Sequence, residues 1–515
     1  MRKILSMEVS DVMKHFKNVL CSVVFLLILF GSLFTINKIL EAKYILKNST
    51  WPTTSSYRQF YEMDKDSIDV LFFGSSVAVN AFIPQEIYNT YGITSYNLGS
   101  EQQSIYLSYY WLKEALRFQS PKVVVLDAKF MMNLHPENPI NTTEGLTRKC
   151  LDPMKWSKVK REAVHNLCLL DEEQSELSYY LINLRYHSRW SRLQEYDINE
   201  DMVDISALKG YAPTTDYGPA SYTTYEQTDA SATTEFAPLM QEYLDKMADL
   251  CKENNIQLVL VDLPGNEMND AINNTHTSYA EKRGIDYYNL CSTKYYEMIG
   301  AVLPKENTLS HENIWGAIKT SRFFGNLLKD TYKVEARQDE QFEVTKAFYE
   351  QTKKSADLVT ISNQAEYLNA LLNNNYAIFI SVRGDASSVF NIPEVKEGLQ
   401  NLGLTCELTD IPETSYVAAI VAGNVVAEEA SAENVKYTGS FRDHHSIYTL
   451  QSCGLKGNPS TSIIIDGQEY SIANNGINFA IYDLTTYKII DKVTFQGSAI
   501  MYANPTSSIV REQPV

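Results

Sequence analysis

The sequence predicts an α/β protein in three parts: an N-terminal transmembrane helix, a parallel-sheet domain, and a second, β-rich α+β domain. Three observations predict it. Short apolar runs at 70–73, 121–127 and 256–263 alternate with stretches of helical spacing, as strands covered on both faces and joined by helical crossovers do. Residues 19–36, VLCSVVFLLILFGSLFTI, carry no charge and are long enough to cross a bilayer. From residue 376 onward short β-branched runs follow one another with few helical stretches between them.

Taken in order, residues 1–18 read as a cytoplasmic tail and 19–40 as a transmembrane signal anchor. Arg2, Lys3, Lys14 and Lys17 precede the span and Lys38, Lys43 and Lys47 follow it, so the positive-inside bias for a cytoplasmic N-terminus is modest. A cleaved signal peptide is the alternative; it needs a shorter apolar core and a small-x-small cleavage site, and none is clear before Glu41. Residues 41–65, polar and aromatic, read as a stalk, which leaves the remainder outside the cytoplasm.

The sheet domain is expected over 66–335. Strand 70–73 stops at Gly74-Ser75-Ser76 and runs into an apolar segment with helical potential. A glycine there permits a sharp turn, and a serine at the turn has its hydroxyl beside backbone N–H groups that can hold a developing negative charge. The plain alternative is a strand-ending turn with a capping serine. Strand 92–98 closes at Gly99, helix 104–118 follows, and then strand 121–127, helix 237–254, strand 256–263, helix 269–283, strand 285–289 and helix 313–329. Such sheets bind ligands at the carboxyl ends of their strands, where the Gly74–Ser76 turn, Gly99 and Pro264-Gly265 all fall. Residues 130–236 break the pattern, with helical pieces at 156–166 and 173–193, and read as an insertion able to cap the site. His311 stands just before the last helix, where an imidazole can meet a serine hydroxyl at one sheet edge.

The second domain, 340–510, begins with a linking helix over 342–374. Strands are expected at 376–382, 416–421, 462–470, 478–483 and 488–495, with a helix at 393–402 and a hairpin signal at Gly423-Asn424.

Composition narrows the function. A chain of 515 residues holds two or more domains, and a net charge of −18 argues against nucleic-acid partners. None of the seven cysteines forms a C-x-x-C pattern, so no zinc site is expected. Cys406 with Cys453 is the first candidate disulfide, buried free thiols being the other reading.

Taken together, these blocks resemble the SGNH (GDSL-type) hydrolases, with their flavodoxin-like sheet, and most nearly the membrane-anchored branch that accompanies cell-envelope acylation. The resembling residues are Phe73-Gly74-Ser75-Ser76, the run from Tyr96-Asn97-Leu98-Gly99 to Gln103-Ser104, Tyr109 to Leu116, Pro121 to Asp127, and His311-Glu312-Asn313 with Gly316-Ala317. By position the resemblance implies Ser76 as nucleophile and His311 as base. It implies an oxyanion hole from Gly99 and the Ser76 N–H, with Gln103 and Asn313 in support. Ser75 falls on the middle position of its block and is the lesser candidate nucleophile. The departures are plain. Thr308, Leu309 and Ser310 stand where the family carries an orienting Asp, leaving a Ser–His dyad or Glu306 or Glu312 in its place. Val77 replaces a frequent His, and no Gly-x-Asn-Asp follows strand 123–126.

The implied activity is hydrolysis or transfer of an O-acyl group, acetyl first, on a cell-envelope polysaccharide, without metal or other cofactor. A membrane-bound acyl-exporting transferase is the implied partner. The alternative is an inactive glycan-binding or envelope-assembly protein of the same fold. The second domain resembles the interleukin-like EMT inducer domain over 463–470, 475–483 and 488–495, with 381–387 and 416–423 in permuted order; some relatives of that domain bind glycans.

Overall fold

The structure, a computed structural model, describes residues 2–41, 54–193, 195–198, 206–216, 224–302, 305–307, 310–406, 412–454 and 458–502. Residues 42–53 of the expected stalk, Thr308 and Leu309, and the C-terminal residues after 502 lie outside these. The described chain forms two compact units. One joins the N-terminal helix to residues from 156 to 198; the other holds everything else.

The first helix, Arg2–Leu40, is longer than the expected span because the preceding tail continues it. Residues Met13–Leu40 are apolar enough to cross a membrane. The insertion is divided between the two units. Its 156–198 portion joins the helix, whereas residues 206–216 lie with the sheet.

Five parallel strands form the first sheet: β1 Val70–Phe73, β2 Ser95–Asn97, β3 Val123–Asp127, β4 Gln257–Asp262 and β5 Asp286–Asn289, in the order β2-β1-β3-β4-β5. That is the flavodoxin-like order, whose ligand crevice opens between β1 and β3, where consecutive connections leave in opposite directions. The unbroken apolar runs are explained by burial on both faces. Val70, Phe72, Val123, Val125, Val259 and Val261 pack with Phe82, Phe324 and Leu328 from helices on one side. Their neighbours Leu71, Phe73, Val124, Leu126 and Leu260 are equally buried. Right-handed crossovers place the β2–β3 helix, Ile105–Ala115, on that other side. Helix Pro238–Glu253 lies along it, with Tyr106 and Tyr110 against Tyr243.

Among the described residues the second sheet has ten strands, β6 to β15 in chain order, and curls. β6 Tyr376–Arg383 is flanked by β13 Gly476–Asp483 on one side. On its other side lies β7 Ser415–Val421, with β10 Ser446–Cys453 touching its end. Along β6, Tyr376, Ile378, Ile380 and Val382 enter one apolar cluster, shared with helices Gln364–Ala370 and Pro393–Asn401. Ala377 and Phe379 enter another, with Phe441, Tyr448, Leu450 and Ile463 from the strands curled over that face. The expected linking helix is three pieces, Glu340–Glu343, Lys346–Leu358 and Gln364–Ala370; Asn363 caps the last through the Glu366 N–H. The hairpin of β9 Val435–Phe441 with β10 has no counterpart among the expected strands, because β9 is polar and alternately exposed. None of the seven cysteines forms a disulfide, and Cys406 and Cys453 are two buried thiols, which corrects that candidate pairing.

Candidate active site

The site is built from the end of β1. Gly74 has φ +145°, and a Cβ there would lie 2.4 Å from the Asp127 Cβ, so only glycine lets β1 turn against the end of β3. Ser75 is the N-cap of helix Ser76–Ala81: its Oγ accepts from the Val77 N–H (3.3 Å) and donates to Asp127 Oδ2 (2.8 Å). Buried and doubly engaged, Ser75 serves the turn. Ser76, the next residue, places its Oγ 2.8 Å from His311 Nε2, across 235 positions of sequence.

Two amides clamp this corner. Asn97, at the end of β2, donates to the carbonyls of Ala78 (2.8 Å) and Phe82 (3.2 Å) and accepts from the Gly99 N–H (3.0 Å). Gln103 accepts from the Gly74 N–H and from Ser108 Oγ, both at 3.1 Å, and donates to Tyr57 OH (2.6 Å) and the Leu98 carbonyl (3.0 Å). An amide has two donor and two acceptor positions, so Gln103 is saturated. Residues 209–212 close over the same corner: the Asn97 N–H donates to the Lys209 carbonyl, and Asn80 Nδ2 to that of Ala212. Gly210 there, at φ +89°, passes so close to the Asn97 carbonyl that a Cβ would sit 1.9 Å from its oxygen.

His311 is delivered by the segment before helix Ile314–Asp330. Asn313 caps that helix, accepting from the Gly316 N–H (3.3 Å) and donating to the Lys305 carbonyl (2.8 Å). His311 Nδ1 lies 2.7 Å from Ser310 Oγ. When Nε2 accepts the Ser76 proton, Nδ1 carries its own hydrogen and Ser310 Oγ receives it. Burial, and then the charge of Lys129, lowers the His311 pKa to about 4, with Glu101 acting in the opposite sense. The imidazole is therefore neutral at pH 7.

Several of the expected site residues hold other partners. Glu306 is engaged by Lys319 (2.6 Å) and the Val302 N–H (2.7 Å). Glu312 accepts from Thr320 Oγ1 (2.7 Å), and burial pushes its pKa up to about 8. Neither carboxylate fills the place behind the imidazole; the hydroxyl of Ser310 stands there. The Gly99 N–H, expected in the oxyanion hole, is held by Asn97 Oδ1. The Ser76 N–H, first in its helix, has no acceptor among the described residues. Gln103 and Asn313, expected to support the substrate, are committed to the scaffold.

Sequence reasoning missed Asp127 as a site residue. It closes the buried strand β3, accepts from Ser75, from Asn266 Nδ2 (2.9 Å) and from the Lys129 N–H (3.2 Å), and burial raises its pKa. A carboxylate ending a wholly apolar strand was the available signal. Asn266 also reaches Asp262 Oδ1 (3.3 Å), and Asp262 Oδ2 meets His276 Nδ1 at 2.7 Å, so a buried polar chain runs along the strand ends to the Ser75 cap. Among the described residues no cluster of His, Cys, Asp and Glu could hold a metal ion.

No protein-family model matches this chain, and no curated protein matches it. Among solved structures it is similar to that of a "putative acylhydrolase" from Bacteroides fragilis NCTC 9343, at 13% identity, covering 57% of this chain and 100% of the other, with a TM-score of 0.26. A likeness of that size carries no argument for function.

Proposed function

We propose that this chain is a serine-dependent ester hydrolase or O-acyltransferase in which Ser76 is the nucleophile and His311 the general base. The observation that carries the reading is the 2.8 Å contact between Ser76 Oγ and His311 Nε2 at the β1/β3 crevice. Ser76 Oγ attacks the ester carbonyl while its proton passes to His311 Nε2. The Ser76 N–H receives the oxyanion; the Gly99 N–H joins it only by leaving Asn97 Oδ1. The imidazolium then protonates the departing alkoxide. Water or a sugar hydroxyl attacks the acyl-serine, again losing its proton to His311, and Ser76 is regenerated.

Placement outside the membrane, an acetyl group as the acyl unit, an envelope polysaccharide as acceptor and an acyl-exporting membrane transferase as donor make up the finer reading. Its support is the apolar N-terminal helix and the resemblance set out above. A glycan role for the second domain, in the manner of the interleukin-like EMT inducer domain, belongs to the same reading. A cleft of about 180 Å³, lined more by apolar than by polar surface, carries Thr215, Ser355, Asp483 and Lys488.

A binding protein that keeps the fold without the chemistry is the second reading. The hydroxyl of Ser310 in place of a carboxylate, and an imidazole of low basicity, favour it. Fluorophosphonate labelling of the full chain separates the two. Wild-type labelling that disappears in Ser76→Ala supports the enzyme; an unlabelled wild type supports the binding protein.

A further inference from the structure

The 156–198 portion of the insertion packs on the end of the N-terminal helix. Residues 13–36 of that helix are exposed throughout, and cover begins only at Asn37, where its apolar span ends. Pieces Asn183–Tyr186, His187–Arg192 and Glu195–Ile198 all pack against the helix. Arg189 donates to the carbonyls of Leu40 (2.8 Å) and Glu41 and pairs with Asp197 (2.5 Å). The last carbonyls of a helix lack partners within it, so Arg189 ties this segment to the helix terminus. That terminus is the depth at which a membrane span meets the headgroup layer.

The same segment turns a large apolar face outward. Leu177 and Tyr180 lie on the short helix Glu176–Tyr180, Leu181 ends it, and Leu184 lies on the next, Asn183–Tyr186. With Trp156 and Trp190 they are between 44% and 71% exposed. Trp156 stacks on Tyr180 at 4.6 Å, so two amphipathic rings present one edge. Residues 175–192 carry Arg185, Arg189 and Arg192 against one carboxylate, Glu176, in a chain whose net charge is −18, and Arg189 is paired with Asp197. Exposed aromatic rings and leucines in a segment with an excess of arginine over acidic residues suit an anionic lipid interface.

We propose that residues 175–192 lie in the interfacial layer of the bilayer that the N-terminal helix crosses. Leu177, Leu181 and Leu184 enter the acyl boundary there, with Trp156, Tyr180 and Trp190 at headgroup level. The inference rests on the reading of that helix as membrane-spanning. The contact makes the anchor two-point, a span joined to a surface element, and fixes the segment that leaves the membrane.

The test is tryptophan fluorescence of the full chain in nanodiscs of phosphatidylcholine and phosphatidylglycerol, with brominated phosphatidylcholine as the lipid-side quencher and iodide as the aqueous one. Incorporation is followed by co-elution with the disc, and folding by far-UV circular dichroism. Brominated lipid is expected to quench the wild type, and the double variant Trp156→Phe/Trp190→Phe is expected to lose more than half of that quenching. In Leu177→Ser/Leu181→Ser/Leu184→Ser, iodide quenching is expected to rise at least twofold. Lipid quenching unchanged in the double Phe variant overturns the proposal, as does quenching of Trp156 and Trp190 by iodide alone. Protection of both from both quenchers means a protein covers the face, and overturns it too. A chain that never enters the disc refutes the spanning helix itself, and the proposal with it.

Discussion

The two partners of the site are held in opposite ways. Ser76 stands in a corner whose neighbours are all tied down: Asn97 grips its helix, Gln103 grips Gly74, and Asp127 grips Ser75. His311 meets Ser76 at 2.8 Å, yet behind it stands a hydroxyl, Ser310, rather than a carboxylate. Burial and Lys129 lower its pKa to about 4. The difference teaches that nucleophile geometry and base strength are separate properties: this fold builds the first rigidly and leaves the second low.

Removing each partner in turn separates the two properties. Ser76→Ala should abolish fluorophosphonate labelling, and His311→Ala should slow it by about 10²–10⁴-fold, the usual worth of a positioned general base. Equal labelling rates in His311→Ala and wild type would mean that the imidazole takes no proton. Ser310→Asp asks next whether the base is limited by its support. A carboxylate beside Nδ1 stabilises the imidazolium, so labelling should quicken by roughly 10-fold near neutral pH, and its acid limb should move upward from the wild type's position near pH 4. A slower variant would show that the hydroxyl is the better fit.

The nucleophile side is tested by stability. Asn97→Ala removes three hydrogen bonds around the serine helix, a loss of about 2–4 kcal/mol in urea unfolding, since buried donors and acceptors are left unpaired. Labelling should fall with it at temperatures where the chain is still folded. An unchanged unfolding midpoint would remove Asn97 from the clamp.

Glu312 gives a smaller, pH-dependent effect. Its pKa is raised from 4.5 to about 8 by burial, so the folded chain binds the extra proton between those values. Its contribution is therefore fully present below pH 4.5 and is lost as pH rises through 8. Glu312→Gln keeps an acceptor for Thr320 and should flatten that loss between pH 5 and 8.5, read from urea midpoints. His311 carries the opposite sign: its folded pKa lies below 6.5, so its contribution is present above that pH and is lost as pH falls toward 4. The mildest change is Lys129→Met, which removes a positive charge near the imidazole and should move the acid limb of labelling to higher pH. A fixed limb would leave burial as the sole cause of the depression.

Most of the sheet was legible in the chain. β1 occupies 70–73 as expected, and β3, β4 and β5 fall within the runs at 121–127, 256–263 and 285–289. Strands buried on both faces must be apolar without interruption, and that pattern survives any tertiary context. β9 was not legible because its exposed face makes it polar, and the linking helix was read too long because the Asn363 cap lies inside a helical composition. Ser76 and His311 were legible as candidates through their blocks. The fate of a particular N–H was not: that Gly99 donates to Asn97, or that Gln103 is saturated by four partners, depends on side chains converging from distant positions.

By itself, then, the order of residues determined an uncharged N-terminal span, a parallel sheet, and a serine and a histidine at its strand ends. Periodicity and residue type are local, and burial on one or both faces writes them directly into the chain. Only the tertiary structure decided which serine is free to react, what stands behind the imidazole, and which helix the insertion leans on. Each of those is a distance between groups far apart in sequence, set by how the elements pack rather than by what any one of them contains.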